Sequence, residues 1–284
     1  MMTLERRLRR ASWGILTAAL LAAACGTPPA AAGDAFGDGR ITLSGSSTIA
    51  PLVSEIGKRF EAKHPGVRVD VQTGGSSRGV ADARRGTVNI GMVSRALNAT
   101  EGDLTAHRIA MDGVAIILHA SNRVASLTDR QVVEIYTGKV TNWSTVGGAD
   151  APITVVNKAE GRSTLELFAT HFRIERTAIK ASVVIGENLH GVRTVAGDPH
   201  AIGYVSIGTA EFEMSKGVAI KMLPMNGIEP SIASVRDGRF PLSRPLNLVT
   251  RGPRTPLVDA FLAMARSADV KDLVEGLFFV PVAQ

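Results

Sequence analysis

The chain carries a single cysteine, Cys25, in 284 residues. A lone thiol excludes an internal disulfide framework, so any fold must rest on a packed core. Aromatic residues are only 5% of the composition. That argues against an aromatic-rich β-sandwich and for an aliphatic α/β protein, and the 29 glycines imply many tight turns. The six histidines (His64, His107, His119, His171, His190 and His200) show no metal-ligand spacing, so they read as scattered surface or core residues and no cofactor is expected. Beyond residue 24 no apolar run reaches the roughly 18–20 residues that a membrane-spanning helix needs. There is no tract of five or more Lys/Arg and no interleaving of cations with aromatics, so nucleic acid is not an expected partner. The formal charge of +6 and pI near 9.8 are inflated by the first 24 residues, which carry four Arg and one Glu; without them the charge is +3.

What is present is enough for a core: 45% of residues are hydrophobic and 20% charged. That excludes disorder, and the length suits one large or two medium domains. Residues 1–24 read as a signal segment, with Arg6, Arg7, Arg9 and Arg10 before the apolar run ASWGILTAALLAAA. LLAAAC places Cys25 directly after that run and resembles a bacterial lipoprotein signal, so Cys25 is the expected lipidation site. An ordinary signal peptide cut after Ala22-Ala23-Ala24 is the alternative. Residues 25–39, CGTPPAAAGDAFGDG, then form a tether of small residues.

Strand and helix periods alternate along the rest. Arg40–Leu43 reads as a strand. Ile49, Leu52, Val53, Ile56 and Phe60 mark one face of a helix that His64-Pro65-Gly66 stops. Val67, Val69 and Val71 alternate as in a strand. Residues 80–86 read as a short helix and 88–93 as a strand. GVAIIL at 113–118 has the continuous apolar character of a buried strand. A helix at 128–137, a strand at 153–156, a helix after Ser163, strand-like AIGYVSIG, a strand at 246–250 and a helix at 255–266 complete the pattern. Such alternation predicts an α/β fold with mainly parallel sheets.

Four strand ends share one character. Each runs into a small, hydroxyl-rich turn, usually with a helix behind it: Ser46-Ser47-Thr48, Ser76-Ser77, Ser94-Arg95 and Arg162-Ser163-Thr164. Ligands in open α/β sheets sit outside the carboxyl ends of strands. Helix N-termini attract anions through free backbone N–H groups and a partial positive charge. Arg95, Lys158 and Arg162 stand ready as counter-charges. The combination predicts a site for a small, multiply charged oxyanion. Each turn alone is an ordinary N-cap, and Ser163 with Glu166 has the spacing of a capping box. A rival reading takes Gly75-Ser76-Ser77-Arg78-Gly79 as a G-x-S-x-G nucleophile elbow, with Asp198 and His200 downstream. Too few strands precede Ser77, and no oxyanion loop is evident, so the serine hydrolase ranks last.

Taken together, SGSSTIAPLVSEIGKRFEAKHPGVRVDV, TGGSSRGVADARRGTVNIGMVSR, DGVAIILHASN, IYTGKVTNWSTVGGADAPITVV, AIGYVSIG and FPLSRPLNLVT closely resemble, in order, the phosphate-binding proteins of bacterial phosphate ABC importers. The resemblance covers about residues 40–284. It implies a two-lobed periplasmic-binding-protein fold of type II, with mixed, mainly parallel sheets, helices on both faces and two hinge crossings. It implies an exported, periplasmic or cell-envelope lipoprotein that captures phosphate for a membrane permease. No catalysis is implied, and a monomer is expected. A sensor or scavenger of sulfate, arsenate or an organic phosphate, working without a permease, is the alternative.

Carried over residue by residue, the family's site falls on Ser46, Ser47, Thr48 and Ile49 in the first loop and on Ser76 in the second. Ser94 stands where the family usually has an aspartate, and Lys158 where it has an arginine. Gly161-Arg162-Ser163-Thr164 replaces the usual G-S-G-T loop. Lobe one is expected at 40–117 plus 207–284 and lobe two at 118–206.

Overall fold

The structure is a computed structural model that describes residues 36–282. The signal segment and Cys25 lie outside the described residues. Of the tether, only residues 36–39 are described; there Phe36 meets His64 edge-on, with 5.1 Å between ring centroids.

The chain opens with β1 (Arg40–Gly45), α1 (Ala50–Lys63), β2 (Arg68–Thr73), α2 (Ser76–Arg85) and β3 (Ile90–Val93), followed by the long strand β4 (Thr105–His119). It continues through α3 (Asp129–Tyr136), β5 (Thr154–Lys158), α4 (Ser163–Phe172), β6 (Val183–Ile185), α5 (Asn188–Gly197) and β7 (Ala201–Ser206). Next come α6 (Ile207–Ser215), β8 (Ile220–Met222), α7 (Ile232–Arg236), β9 (Ser243–Thr250), α8 (Pro256–Ala265), α9 (Lys271–Gly276) and β10 (Val280–Pro281). The strands form one mixed sheet in the order β2-β1-β3-β9-β4-β7-β5-β6, with β8 and β10 also pairing β4.

The expected parallel pairing holds within each wing of this sheet. β1 is parallel to β2 and β3, and β5 is parallel to β6 and β7. The centre is antiparallel and is organised by β4. Its first part, Thr105–Gly113, pairs β9; its second part, Val114–Leu118, pairs β7. The change of partner between Gly113 and Val114 joins the wings. GVAIIL is therefore the second half of a longer strand. His107, Arg108 and Asp112 interrupt the apolar pattern of the first half, so it did not read as a strand.

Alternate strand residues feed cores on opposite faces, as a period of two requires. In the first wing Ile90, Met92, Leu246 and Leu248 pack with α1, α8 and α9, whereas Val93 and Val249 pack with α2. In the second wing Ile116, Leu118 and Tyr204 pack with α3 and α4, whereas Ile117 and Val205 pack with α5. Ile207, Leu223, Val235 and Phe240 join the second-wing cores, so residues 207–242 pack with that wing.

Helix α1 buries Leu52, Val53, Ile56 and Phe60, the face that its spacing predicted, and Pro51 starts it where a missing N–H is harmless. Helix α2 begins four residues before its apolar period, because its first turn is the polar pair Ser76-Ser77. Gly79 lets this helix lie against the strands: a Cβ there would stand 2.7 Å from the Met92 carbonyl oxygen and 2.9 Å from that of Ser44. AIGYVSIG divides at Ser206, whose hydroxyl accepts from Thr209 N and turns Ile207-Gly208 into helix α6.

Candidate functional site

Four helices point their N-termini at one small cavity. It is lined by Ser46, Ser47, Thr48, Gly75, Ser76, Ser94, Arg162, Ser163, Thr164, Gly186 and Asn188, and its volume is about 10 Å³, roughly that of one water molecule. The helices are α1, α2, α4 and α5. None of the four has a side-chain hydrogen bond at its N-cap, where Ile49, Gly75, Arg162 and Glu187 stand. Ala50 N donates to Ser46 O and Ser77 N to Gly161 O, whereas the N–H groups that open α2, α4 and α5, at Ser76, Ser163, Thr164 and Asn188, have no partner within their helix and are left for whatever occupies the cavity.

Hydroxyls from both wings meet inside. Ser46 Oγ donates to Ser94 Oγ (2.9 Å), and Ser94 N donates to Ser76 Oγ (3.1 Å). Ser163, from the second wing, completes the set: its Oγ lies 2.6 Å from Ser94 Oγ and accepts from Ser76 Oγ at 3.0 Å. These hydroxyls satisfy one another, and each such bond is one that an oxyanion oxygen can replace. Gly75, at φ +93°, permits the approach of the wings. A Cβ there would stand 2.5 Å from the Gly161 carbonyl oxygen, and the Ser77 N–H donates to that same oxygen (3.2 Å).

Arg244 lies beneath the hydroxyls, and sequence reasoning missed it. Its side chain is 1% exposed and donates to Asp112 Oδ2 through both Nε (3.1 Å) and Nη2 (2.8 Å). Asp112 and Arg244 face each other in the β4–β9 register, one residue from the change of partner. The guanidinium also donates to Thr164 Oγ1 (3.0 Å), Thr48 Oγ1 (3.2 Å) and Ser94 Oγ (3.4 Å). Asp112 Oδ1 accepts from Ser206 Oγ (3.0 Å) and Gly208 N (3.3 Å), so the carboxylate is fully bonded away from the cavity. A signal was there to find: Asp112 stands directly before the apolar run GVAIIL and Arg244 directly before PLNLV, opposite charges at the edges of two apolar stretches.

Lys158 was expected as a ligand and stands one step back. Its Nζ donates to Asn188 Oδ1 (3.0 Å), and Asn188 Nδ2 donates to Thr48 Oγ1 (2.9 Å). Burial, together with repulsion from Arg244 and Arg162, pulls the Lys158 ammonium down to about 7, and Glu187 only partly opposes this. Asn188 is the second residue that sequence reasoning missed. It opens α5, a helix containing Gly191 and Gly197, whose low helix propensity masked it.

Other expected residues divide. Ser46, Ser47, Thr48, Ser76, Ser94, Arg162, Ser163 and Thr164 are brought together at the cavity. Arg162 lines it while Nη1 donates to Glu187 Oε1 at 2.9 Å. Ile49 supplies backbone only, because its side chain is fully buried in the first-wing core. Arg95 does not reach the cavity: its guanidinium is bonded to Glu101 (2.7 and 2.8 Å) and to Glu166 (2.6 Å). The Ser163–Glu166 capping box does not form. Arg162 is the N-cap, and both side chains are drawn to partners on the other wing. The hydrolase constellation is not assembled either. Ser77 Oγ donates to Glu166 Oε1 (3.1 Å), whereas His200 precedes β7, at the opposite end of the parallel β5–β7 pair from the cavity. Among the described residues no group of three or more His, Cys, Asp and Glu is placed to hold a metal ion.

A family model described as a PBP superfamily domain matches residues 30–268. The Bacillus subtilis (strain 168) protein named Phosphate-binding protein PstS is 28% identical over 277 residues, covering 93% of this chain and 90% of that protein. A solved phosphate ABC transporter substrate-binding protein from Clostridium perfringens, with bound phosphate, superposes with a TM-score of 0.80 at 29% identity, covering 86% of this chain and 100% of the other. An ABC-type phosphate transport receptor from Vibrio cholerae gives a TM-score of 0.71 at 27% identity, covering 85% and 100%.

Proposed function

The chain belongs to the PBP superfamily, and we propose that within it this protein captures inorganic phosphate, or a closely related oxyanion, for an ABC importer. One observation carries the reading: four helix N-termini without side-chain caps converge on a single hydroxyl-lined cavity. The phosphate-binding and phosphate-transport relatives agree with it.

In this reading the anion replaces the hydroxyl–hydroxyl bonds of Ser46, Ser76, Ser94 and Ser163 and takes the free first-turn N–H groups. Arg162 at the cavity wall, with Arg244 and Lys158 behind it, supplies positive potential. Thr48 and Thr164 are each held by a donor, so their hydroxyl hydrogens are free to turn toward the anion. No step of this scheme makes or breaks a covalent bond.

The hinge belongs to the same proposal. We place lobe one at 40–113 plus 243–282 and lobe two at 114–242, following the partner change in β4 and the packing of residues 207–242. The sequence-based crossings at 118 and 206 lie within the second of these lobes. Cys25 as a lipid anchor and a membrane permease as the docking partner complete the reading, and no helix among the described residues is long and apolar enough to cross a membrane.

Isothermal calorimetry of the exported chain against phosphate, arsenate and sulfate tests the function. Saturable phosphate binding, competed by arsenate, is expected. Absence of a phosphate heat together with an unchanged melting temperature at millimolar phosphate defeats the reading, since any ligand of the native state must raise stability.

A further inference from the structure

The wings are also joined at a place that lines no part of the cavity. Glu166 projects from α4 of the second wing and accepts from two first-wing groups, Ser77 Oγ at Oε1 (3.1 Å) and Arg95 Nε at Oε2 (2.6 Å). Neither Ser77, Arg95 nor Glu166 is among the cavity-lining residues.

Arg95 is held ready for this contact. Glu101 grips its two terminal nitrogens at 2.7 and 2.8 Å, and Glu101 Oε2 also accepts from Asn98 N (2.9 Å) within the capping box of a short 3-10 turn. The guanidinium is therefore fixed on the first wing by a carboxylate of its own wing, with Nε left over for the other. Side-chain exposure is 13% for Arg95, 5% for Glu101 and 25% for Glu166. A pair this sheltered is screened far less than an exposed ion pair. Because all the groups belong to the protein, the contact rewards closure whatever the cavity holds.

We infer that Glu166 is a latch: by tying the second wing to Arg95 and Ser77 of the first, it sets how long a captured anion stays, not which anion is chosen. The inference rests on the oxyanion-capture reading above. Its logic is a population argument. Affinity scales with the fraction of molecules in the closed, binding-competent state. Release requires the wings to part, so an interaction made only when they are together slows dissociation. Recognition groups inside the cavity are untouched by its loss, so the ratio of affinities for two anions stays fixed.

The test uses the full exported chain with Glu166→Gln, which keeps shape and removes charge, and Glu166→Asp as the conservative variant. Stopped-flow measurement with phosphate is expected to give a dissociation rate about tenfold faster in Glu166→Gln, the scale of one charge-assisted hydrogen bond. The association rate should change less than about twofold, the phosphate-to-sulfate ratio of Kd should not change, and Glu166→Asp should restore part of the loss. Small-angle scattering without added anion should show Glu166→Gln more expanded than wild type. A shifted anion ratio would make Glu166 a recognition group and overturn the inference. So would an unchanged dissociation rate with an unchanged radius. Should wild type bind no phosphate, the oxyanion-capture reading fails, and the scattering comparison alone still decides whether the latch exists.

Discussion

The helices of eight residues or more in the described chain begin in two different ways. α3, α6 and α8 start with Thr128, Ser206 and Thr255, each of which accepts a hydrogen bond from the backbone of its own first turn. α1, α2, α4 and α5 start with Ile49, Gly75, Arg162 and Glu187 and have no such bond. The first group lies away from the cavity and the second surrounds it. An N-cap satisfies the donors that an anion would otherwise use, at a gain of about 1 kcal/mol. A protein that omits the cap at four converging ends forgoes that stability where it binds and keeps it elsewhere. The serines and threonines of the cavity turns are not idle. Their hydroxyls face one another across the wings instead of their own helices.

The comparison breaks most violently at the charge beneath the uncapped ends. Arg244→Met leaves the Asp112 carboxylate buried without its cation, and a loss of about 3–5 kcal/mol of stability is expected, together with loss of anion binding. The paired change Arg244→Met with Asp112→Leu should recover most of the stability and none of the binding. Urea unfolding with phosphate calorimetry on both variants checks this, and a single variant as stable as wild type would show the pair to be dispensable.

Lys158 adds a pH signature to the same region. Its folded pKa is depressed to about 7, whereas the unfolded side chain keeps its proton to its ordinary value of 10.5. Between those limits the unfolded state binds more protons, so the Lys158 contribution to stability of the anion-free protein should rise with pH, by at most about 1.4 kcal/mol per pH unit, and stay constant below about pH 7. Phosphate should reduce the slope because it favours the ammonium. Lys158→Met should abolish it. Denaturant midpoints at half-unit pH intervals decide, and identical profiles for the two proteins would remove Lys158 from the electrostatics of the site.

Smaller effects sharpen the contrast. Ser163→Ala should cost about tenfold in phosphate affinity, one neutral hydrogen bond or slightly more, with little change in stability. Ser94→Asp should favour phosphate over sulfate, because a carboxylate accepts the proton of hydrogen phosphate and has none to accept from sulfate. Thr128→Ala should do the reverse of Ser163→Ala, lowering stability by about 1 kcal/mol and leaving affinity unchanged. Thermal melts and calorimetry on the two alanine variants would expose the division between capped and uncapped ends as false if both moved stability and affinity alike.

The local part of this arrangement was legible in the sequence. Hydroxyl-rich turns between strands and helices announce themselves through composition and period, and eight of the residues they contain or flank do line the cavity. The non-local part was not. Arg244 and Asp112 are 132 residues apart and meet only through the β4–β9 register. Ser163 and Glu166 have the spacing of a capping box, yet both found partners on the other wing that no local rule can see. Arg95 sits beside Ser94 in the chain, but its guanidinium is captured by Glu101 and Glu166 and turned from the cavity. Partners outside the turn itself decided each of these cases, from Glu101, six residues beyond Arg95, to Asp112, 132 residues before Arg244, whereas turn chemistry decided the rest.

The central claim concerns backbone donors, so the most direct measurement watches backbone amides. A phosphate titration followed by two-dimensional ¹H–¹⁵N spectra of the exported chain should shift, saturably, the amide signals of Ser47–Ile49, Ser76, Ser163–Thr164 and Asn188–Leu189. Those of Arg130–Gln131, Gly208–Thr209 and Leu257–Val258, at the capped ends, should hold still. Saturating phosphate that leaves the first set unmoved, or that moves the two sets equally, would contradict the account.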